Sequence, residues 1–295
     1  MELIKPFLIK LLKDSLSDNN FFRRNLLKNY LQIFVLDFIY SHKKYSRLIF
    51  YGGSCLSHCF GLPRLSEDLD FVDLEKKIEI LELAKDLEEY FKKNTDLKVK
   101  VVAQKFRVYL KFPLLRELEL IRKSESDLLF LKVEIFKGFD FCRDYKIETI
   151  PLFKFNKTIL VKTFDLPTLM ATKIRAVLHR KWEKTDKNGK TTVKVKGRDY
   201  FDLMWYLKKG VMPNFRCIEG IANKEEFKKK LLAAIKKVDA RSIQIDLESL
   251  IDNPELAKRL SENIKEILRR GIENKNLMGN EGAEGFDPKD VDKFI

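Results

Sequence analysis

YGGSCLSHCFGLPRLSEDLDFVDL, residues 51–74, is the stretch on which the reading of this chain turns. It links one apolar run, RLIFY (47–51), to another, LDFVDL (69–74), and both have the length of buried strands. Between them the spacing predicts a short helix from Ser54 to Phe60, with Ser54 as its cap and Gly61-Leu62-Pro63 as its stop. Asp68 and Asp70 fall two apart where the second strand begins, so both carboxylates point to one face. Two close carboxylates repel unless a cation sits between them. Few oxygen ligands suit Mg²⁺, which completes its shell with water and substrate phosphates. Upstream, Gly52, Gly53 and Ser54 close a strand and open a helix, where backbone N–H groups and the helix dipole favour a phosphate. Gly-Gly-Ser or Asp-x-Asp alone is commonplace in turns. In this order, with strands on either side, they describe a nucleoside triphosphate–magnesium site.

The rest of the chain sets limits. Its 295 residues, 45% apolar and 35% charged, exclude a disordered or fibrous protein and leave room for one large domain or two ordinary ones. Every apolar run is broken by charge before the roughly 18 residues a membrane span needs; Asp37 interrupts even LQIFVLDFIY (31–40). The start, MELIKPFLIKLLKDSL, is laced with lysine and shows no cleavage pattern. Four cysteines (Cys55, Cys59, Cys142, Cys217) are too few for a disulfide framework. The expectation is a reduced, cytoplasmic protein with no membrane partner. The net charge of +14 suits polyanionic partners. It is concentrated: between Lys173 and Arg198 ten basic residues stand against Glu183 and Asp186. That density suggests a local anion-binding surface rather than an ordinary solvated face.

Along the chain, Leu27, Leu31, Phe34 and Phe38 have the spacing of an amphipathic helix over about 21–41. After the 69–74 strand a charged helix is expected at 76–93, then strands at 98–103, 105–112, 128–136 and 158–163. Beyond Asp165 the pattern turns helical, at 166–182, 198–208, 223–238 and 254–270. DKNGKTTVKVKG (186–197) interrupts it, and Asn188-Gly189 signals a hairpin turn. The tail at 279–290 is loose and glycine-rich. The expected fold class is therefore α+β: a domain at 1–165 with a mixed sheet, and a mostly helical domain at 166–295 carrying a basic hairpin-like insertion near 184–197.

The order Gly-Gly-Ser, short helix, Asp-x-Asp resembles the DNA polymerase β-like nucleotidyltransferase superfamily. The fuller string GGSCLSHCFGLPRLSEDLDF, the preceding LLKNYLQIFVLDFIYSHKKYSRLIFY and the later KGRDYFDLMWYL are similar to the AbiEii/AbiGii toxin branch, over about residues 20–210. The resemblance implies a mixed-sheet catalytic domain and two divalent ions, Mg²⁺ or in its place Mn²⁺. It also implies transfer of a nucleoside monophosphate from a triphosphate with release of pyrophosphate. Asp68 and Asp70 match the metal-binding aspartates, and the turn of Gly52, Gly53 and Ser54 matches the triphosphate-binding turn. Glu134, in the apolar strand LKVEIF, is the best match for the third metal ligand. A charge in such a strand needs a reason, though a partly exposed strand glutamate would also account for it.

A second cluster lies further on. Lys173 falls on the apolar stripe of its helix, four after Leu169 and three after Met170. A lysine there either snorkels out along its stem or meets an anion. Arg180 follows seven later on the same face. The resemblance implies that a lysine in this helix holds the triphosphate. Arg198-Asp199 opens the next helix, with Asp202 three further on and on the same face, able to fix Lys173 or Arg198. Asp199 could equally serve as a dipole partner of the helix start. The branch treats an aspartate here as an active-site residue, so Asp68, Asp70, Lys173 and Asp199 are the candidate catalytic residues, with Arg180 and Arg198 beside Gly52, Gly53, Ser54 and Lys173 as nucleotide binders. The segment 184–197 departs from the branch's spacing, and its lysines suit phosphate contacts with an RNA acceptor.

Cys55, His58 and Cys59 sit within one helical turn, but no second Cys or His pair completes a zinc set. The resemblance implies the toxin half of a toxin–antitoxin or phage-defence pair, with an antitoxin protein as partner and RNA, foremost the 3′ end of tRNA, as acceptor. Transfer to a protein or small molecule such as an aminoglycoside, or a catalytically silent module that binds RNA or a partner, are the alternatives.

Overall fold

The computed structural model describes residues 2–122, 124–180, 184–185, 191–193, 195–221 and 223–273. The expected loose tail at 279–290 and the Asn188-Gly189 turn lie outside them. The chain divides into two compact units. The first comprises Met1–Phe139 and Ile147–Phe164; the second comprises Asp140–Lys146 and the chain from Asp165 onward. The break at 164/165 falls where the character of the sequence changes. The excursion 140–146 carries no such signal in the sequence.

In the first unit the helices are α1 (Lys5–Lys13), α2 (Asn20–Ser41), α3 (Gly52–Cys59) and α4 (Ile80–Asn94). The strands are β1 (Ile49–Tyr51), β2 (Asp68–Asp73), β3 (Lys100–Gln104), β4 (Arg107–Pro113), β5 (Leu128–Lys137), β6 (Ile147–Lys154) and β7 (Lys157–Phe164). They form one mixed sheet in the order β3-β4-β5-β2-β1-β7-β6. β2 is its centre, antiparallel to β1 and parallel to β5. Leu69 and Phe71 of β2, Val133 and Ile135 of β5, and Val108, Leu110 and Phe112 of β4 are buried on one face. Against that side α2 packs on β5 and β7, and α4 on β3 and β4. Alternation then sends Asp68 and Asp70 to the opposite face.

α2 starts where Asn19 accepts hydrogen bonds from the backbone N–H groups of Phe21 and Phe22. It is not the one-sided amphipathic helix the spacing suggested. From Tyr30 to Leu36 every residue is buried, including Gln32, because neighbours cover it all round. Two elements in this unit escaped the sequence reading. α1 is short, and β6 contains Pro151, which an edge strand tolerates because one side of its backbone has no strand partner.

The second unit is mostly helical: α5 (Leu166–His179), α6 (Gly197–Lys208), a 3₁₀ turn at Phe215–Cys217, α7 (Lys224–Lys236), α8 (Ala240–Leu247) and α9 (Pro254–Glu273). Strands β8 (Lys184–Thr185) and β9 (Thr191–Val193) pair antiparallel, as a hairpin requires. Asp165 caps α5 by accepting from the Thr168 N–H, and Pro167 sits in its first turn. α8 was not expected from the sequence.

The expectation that all four cysteines are reduced does not hold. Cys142, in the excursion, and Cys217, in the 3₁₀ turn, form a disulfide across 75 residues of sequence. A count of cysteines cannot show that folding brings two distant loops together. Cys55 and Cys59 are free. Among the described residues no helix is long and apolar enough to cross a membrane.

Candidate active site

Register assembles the first cluster. Tyr51 of β1 lies opposite Asp70, and Asp70 lies opposite Glu134 of the parallel β5; Asp68 lies opposite Lys132. Asp68, Asp70, Lys132 and Glu134 therefore share one sheet face, with Arg107 of β4 opposite Glu134. Lys132 Nζ lies 2.9 Å from Asp68 Oδ2 and 3.1 Å from Glu134 Oε1. Arg107 Nε donates to Glu134 Oε1 at 2.5 Å. Burial alone would raise the Glu134 carboxyl, but Lys132 and Arg107 hold it below the usual carboxylate range. Burial alone would lower Lys132, and Asp68 and Glu134 keep it above the usual lysine value. The strand glutamate thus has two cations for company: Lys132, two residues back on the same strand and placed on that face by alternation alone, and Arg107, which register brings from β4. Among the described residues, no three His, Cys, Asp or Glu side chains cluster as a metal site.

The glycine pair does a different job from presenting bare N–H groups alone. Gly52 has φ +81°, and a Cβ there would stand 2.5 Å from Asp70 Oδ2. A Cβ on Gly53 would stand 2.8 Å from Arg64 Nη2 and 2.9 Å from Ser66 Oγ. The first glycine makes room for the Asp70 carboxylate, and the second for the buried Arg64 and Ser66 that lead into β2. Ser54 is fully buried and its hydroxyl donates to the backbone carbonyl of Asp68, tying α3 to the start of β2. It is not the helix cap: α3 begins at Gly52, with Tyr51 at the cap position and no side-chain cap. The helix therefore starts three residues earlier than a Ser54 cap would set it.

Beneath this turn His58 is buried between Gln32, 2.8 Å from Nε2, and Lys154, 3.2 Å from Nδ1. Gln32 donates onward to the Ser66 carbonyl. Burial, helped by Lys154, lowers His58 to about 3, so it is neutral. Cys55 is hydrogen-bonded with Thr163 at 3.0 Å. The His58 ring and the Cys55 thiol are thus engaged in holding α3 against α2 and the sheet.

The second unit carries its own cluster. Lys173 Nζ lies 2.7 Å from Asp202 Oδ2 and 3.3 Å from Asp199 Oδ1, and Arg180 Nη1 lies 2.7 Å from Asp199 Oδ2. Both aspartates are buried. Lys173 does not reach solvent along its stem; its side chain is only 12% exposed. Arg198 turns instead to Asp246 of α8, which accepts from its backbone N–H at 2.9 Å and lies 3.4 Å from its Nε. Gly197 is needed for that approach, since a Cβ would stand 2.7 Å from the Ile243 Cα. Asp246 was missed because α8 itself was. Lys196 lines a small cleft with Arg180, Asp199 and Tyr200. Burial first, then Arg198, Arg180 and Lys173, lower it to about 8 against the pull of Asp199.

Several solved structures are similar to this chain. JHP933 from Helicobacter pylori matches with 17% identity and a TM-score of 0.46, over 85% of this chain and 94% of its own. A second H. pylori structure matches with 17% identity and a TM-score of 0.43, over 84% and 96%. The GLD-2–GLD-3 poly(A) polymerase complex matches with 10% identity and a TM-score of 0.28, over 100% and 97%. These likenesses are too distant to carry an argument. No curated protein sequence matches. The model of the family described as nucleotidyl transferase AbiEii toxin, type IV toxin–antitoxin system, matches residues 37–292. A match over that span, on a chain whose Gly-Gly turn and Asp-x-Asp strand are built against each other, makes this protein a member of the AbiEii nucleotidyltransferase toxin family.

Proposed function

We propose that the enzyme transfers a nucleoside monophosphate from a nucleoside triphosphate to an RNA acceptor, with release of pyrophosphate and dependence on Mg²⁺ or Mn²⁺. One observation carries this reading: Asp68 and Asp70 stand on one sheet face against a helix start whose first glycine leaves space for the Asp70 carboxylate. Carboxylate oxygens of this kind fit a hard divalent cation. Asp68 and Asp70 would hold it, with Glu134 as the third candidate ligand. The ions, when bound, would supply charge neutralisation at the triphosphate and activation of the attacking hydroxyl. The chain's own parts then divide the work. Ser54 and Gly52 fix the two aspartates, and Lys132 offsets the charge of Asp68 and Glu134. In the second unit Asp199 and Asp202 hold the Lys173 ammonium in place, and Lys173, Arg180 and Arg198 are the proposed triphosphate holders.

The acceptor proposed first is the 3′ end of tRNA, in the cytoplasm, with a cognate antitoxin protein to restrain the reaction. The test incubates purified protein and total tRNA with each α-labelled nucleoside triphosphate and Mg²⁺, beside Asp68→Asn/Asp70→Asn. Label on tRNA from the wild type alone is the expected result and names the donor. Label on protein, or equal labelling by the variant, would overturn the acceptor or the carboxylate assignment respectively.

A further inference from the structure

Outward from the carboxylates, the same sheet face continues across β5, β4 and β3. On β4, Arg107, Tyr109 and Lys111 alternate on it, opposite Glu134, Lys132 and Phe130 of β5. On β3, Lys100 lies directly opposite Lys111. On β4 a ring thus stands between two cations, and on β5 the Phe130 ring is followed by Lys132 and then the Glu134 carboxylate. The reverse face of β4 is the buried one, with Val108, Leu110 and Phe112 under α4. The outer face is open: Phe130 is 42% exposed, and Tyr109 and Lys111 are half-buried.

One feature of this face works against stability: like charges directly opposite each other weaken a strand pair, and neither Lys100 nor Lys111 makes an ion pair among the described residues. Beside them the half-exposed Phe130 ring lies 5.6 Å from the Lys111 ammonium, a cation–π contact that shows the ring face open to a charged or flat partner. Cations spaced between stackable rings are the combination that binds single-stranded nucleic acid, through phosphates and base faces together. An acidic peptide would use the lysines and leave the rings idle.

We propose that the open face of β3, β4 and β5 is a platform for a single-stranded RNA acceptor, with bases on Phe130 and Tyr109 and phosphates at Lys100 and Lys111. The platform leads along the sheet to Asp68 and Asp70, so a strand lying on it can present its end to them. This inference rests on the RNA reading of the acceptor, and names the surface that reading needs.

The test measures fluorescence anisotropy of a short labelled single-stranded RNA with the full chain over a salt series. Lys100→Gln/Lys111→Gln is expected to bind at least fivefold more weakly, with the logarithmic salt slope smaller by about 1.4, at ~0.7 per phosphate contact. Phe130→Ala is expected to weaken binding by about 5- to 100-fold with the slope unchanged. Lys229→Gln/Lys236→Gln, on the exposed side of α7, is the matched control and should change affinity less than twofold. Thermal melting confirms that each variant folds. If the wild type binds RNA and the platform variants bind it equally well, the platform is wrong while the RNA reading stands. If the wild type binds no RNA, or the same lysines bind polyglutamate more tightly, the RNA occupant itself is overturned.

Discussion

At Gly52 two demands meet in one position: a left-handed backbone and a space that the Asp70 carboxylate fills. Gly61 supplies a contrast, because its φ is +76° but nothing lies within 4 Å of the place a Cβ would take. Both Gly→Ala changes should destabilise by about 1–2 kcal/mol through backbone strain. Only Gly52→Ala should also displace Asp70, lowering transfer at least 100-fold while Gly61→Ala keeps most of it. Side-by-side melting and labelling assays check this. His58 offers a second case. Its folded value of about 3 lies below the unfolded 6.5, so its contribution is complete above pH 6.5 and is lost as pH falls toward 3. Between pH 7 and pH 5 that loss amounts to about 2 kcal/mol. Urea midpoints at the two pH values should therefore draw apart less in His58→Gln than in the wild type. Equal separation would mean that other groups dominate the acid response.

The strand–turn–helix–strand of β1, α3 and β2 was legible because its signals are local: glycines, a proline, and alternation within a few residues. The face shared by Asp68 and Asp70 follows from that alternation, and Lys173 could be singled out because it breaks an apolar stripe. What escaped is whatever register or a distant loop decides. Arg107 reaches Glu134, and Lys132 reaches Asp68, only because β5 lies between β2 and β4 in the sheet. Asp246 reaches Arg198 only because α8 packs on the start of α6. β6 hides behind Pro151, and nothing in the sequence separates the half-exposed Phe130 from the rest of its 23 phenylalanines.

The disulfide bears on the second unit as a whole. Closing a loop of 75 residues restrains the unfolded chain by up to about 4 kcal/mol. Iodoacetamide added to protein denatured without reductant should tag Cys55 and Cys59 only; after reduction it should tag all four cysteines. Tagging of all four at the outset would show that the bridge is not formed in the material tested. The excursion that carries Cys142 also brings Asp144, whose backbone carbonyl accepts from the Asn214 side chain. It is flanked on both sides by sheet sequence, since β6 and β7 follow it before the chain turns helical. A gene cut at 164/165 would therefore leave Cys142 with the wrong half, and a cut at 139/140 would strip β6 and β7 from the sheet. No single crossover parts the two units cleanly, so recombination among relatives must pass them on together.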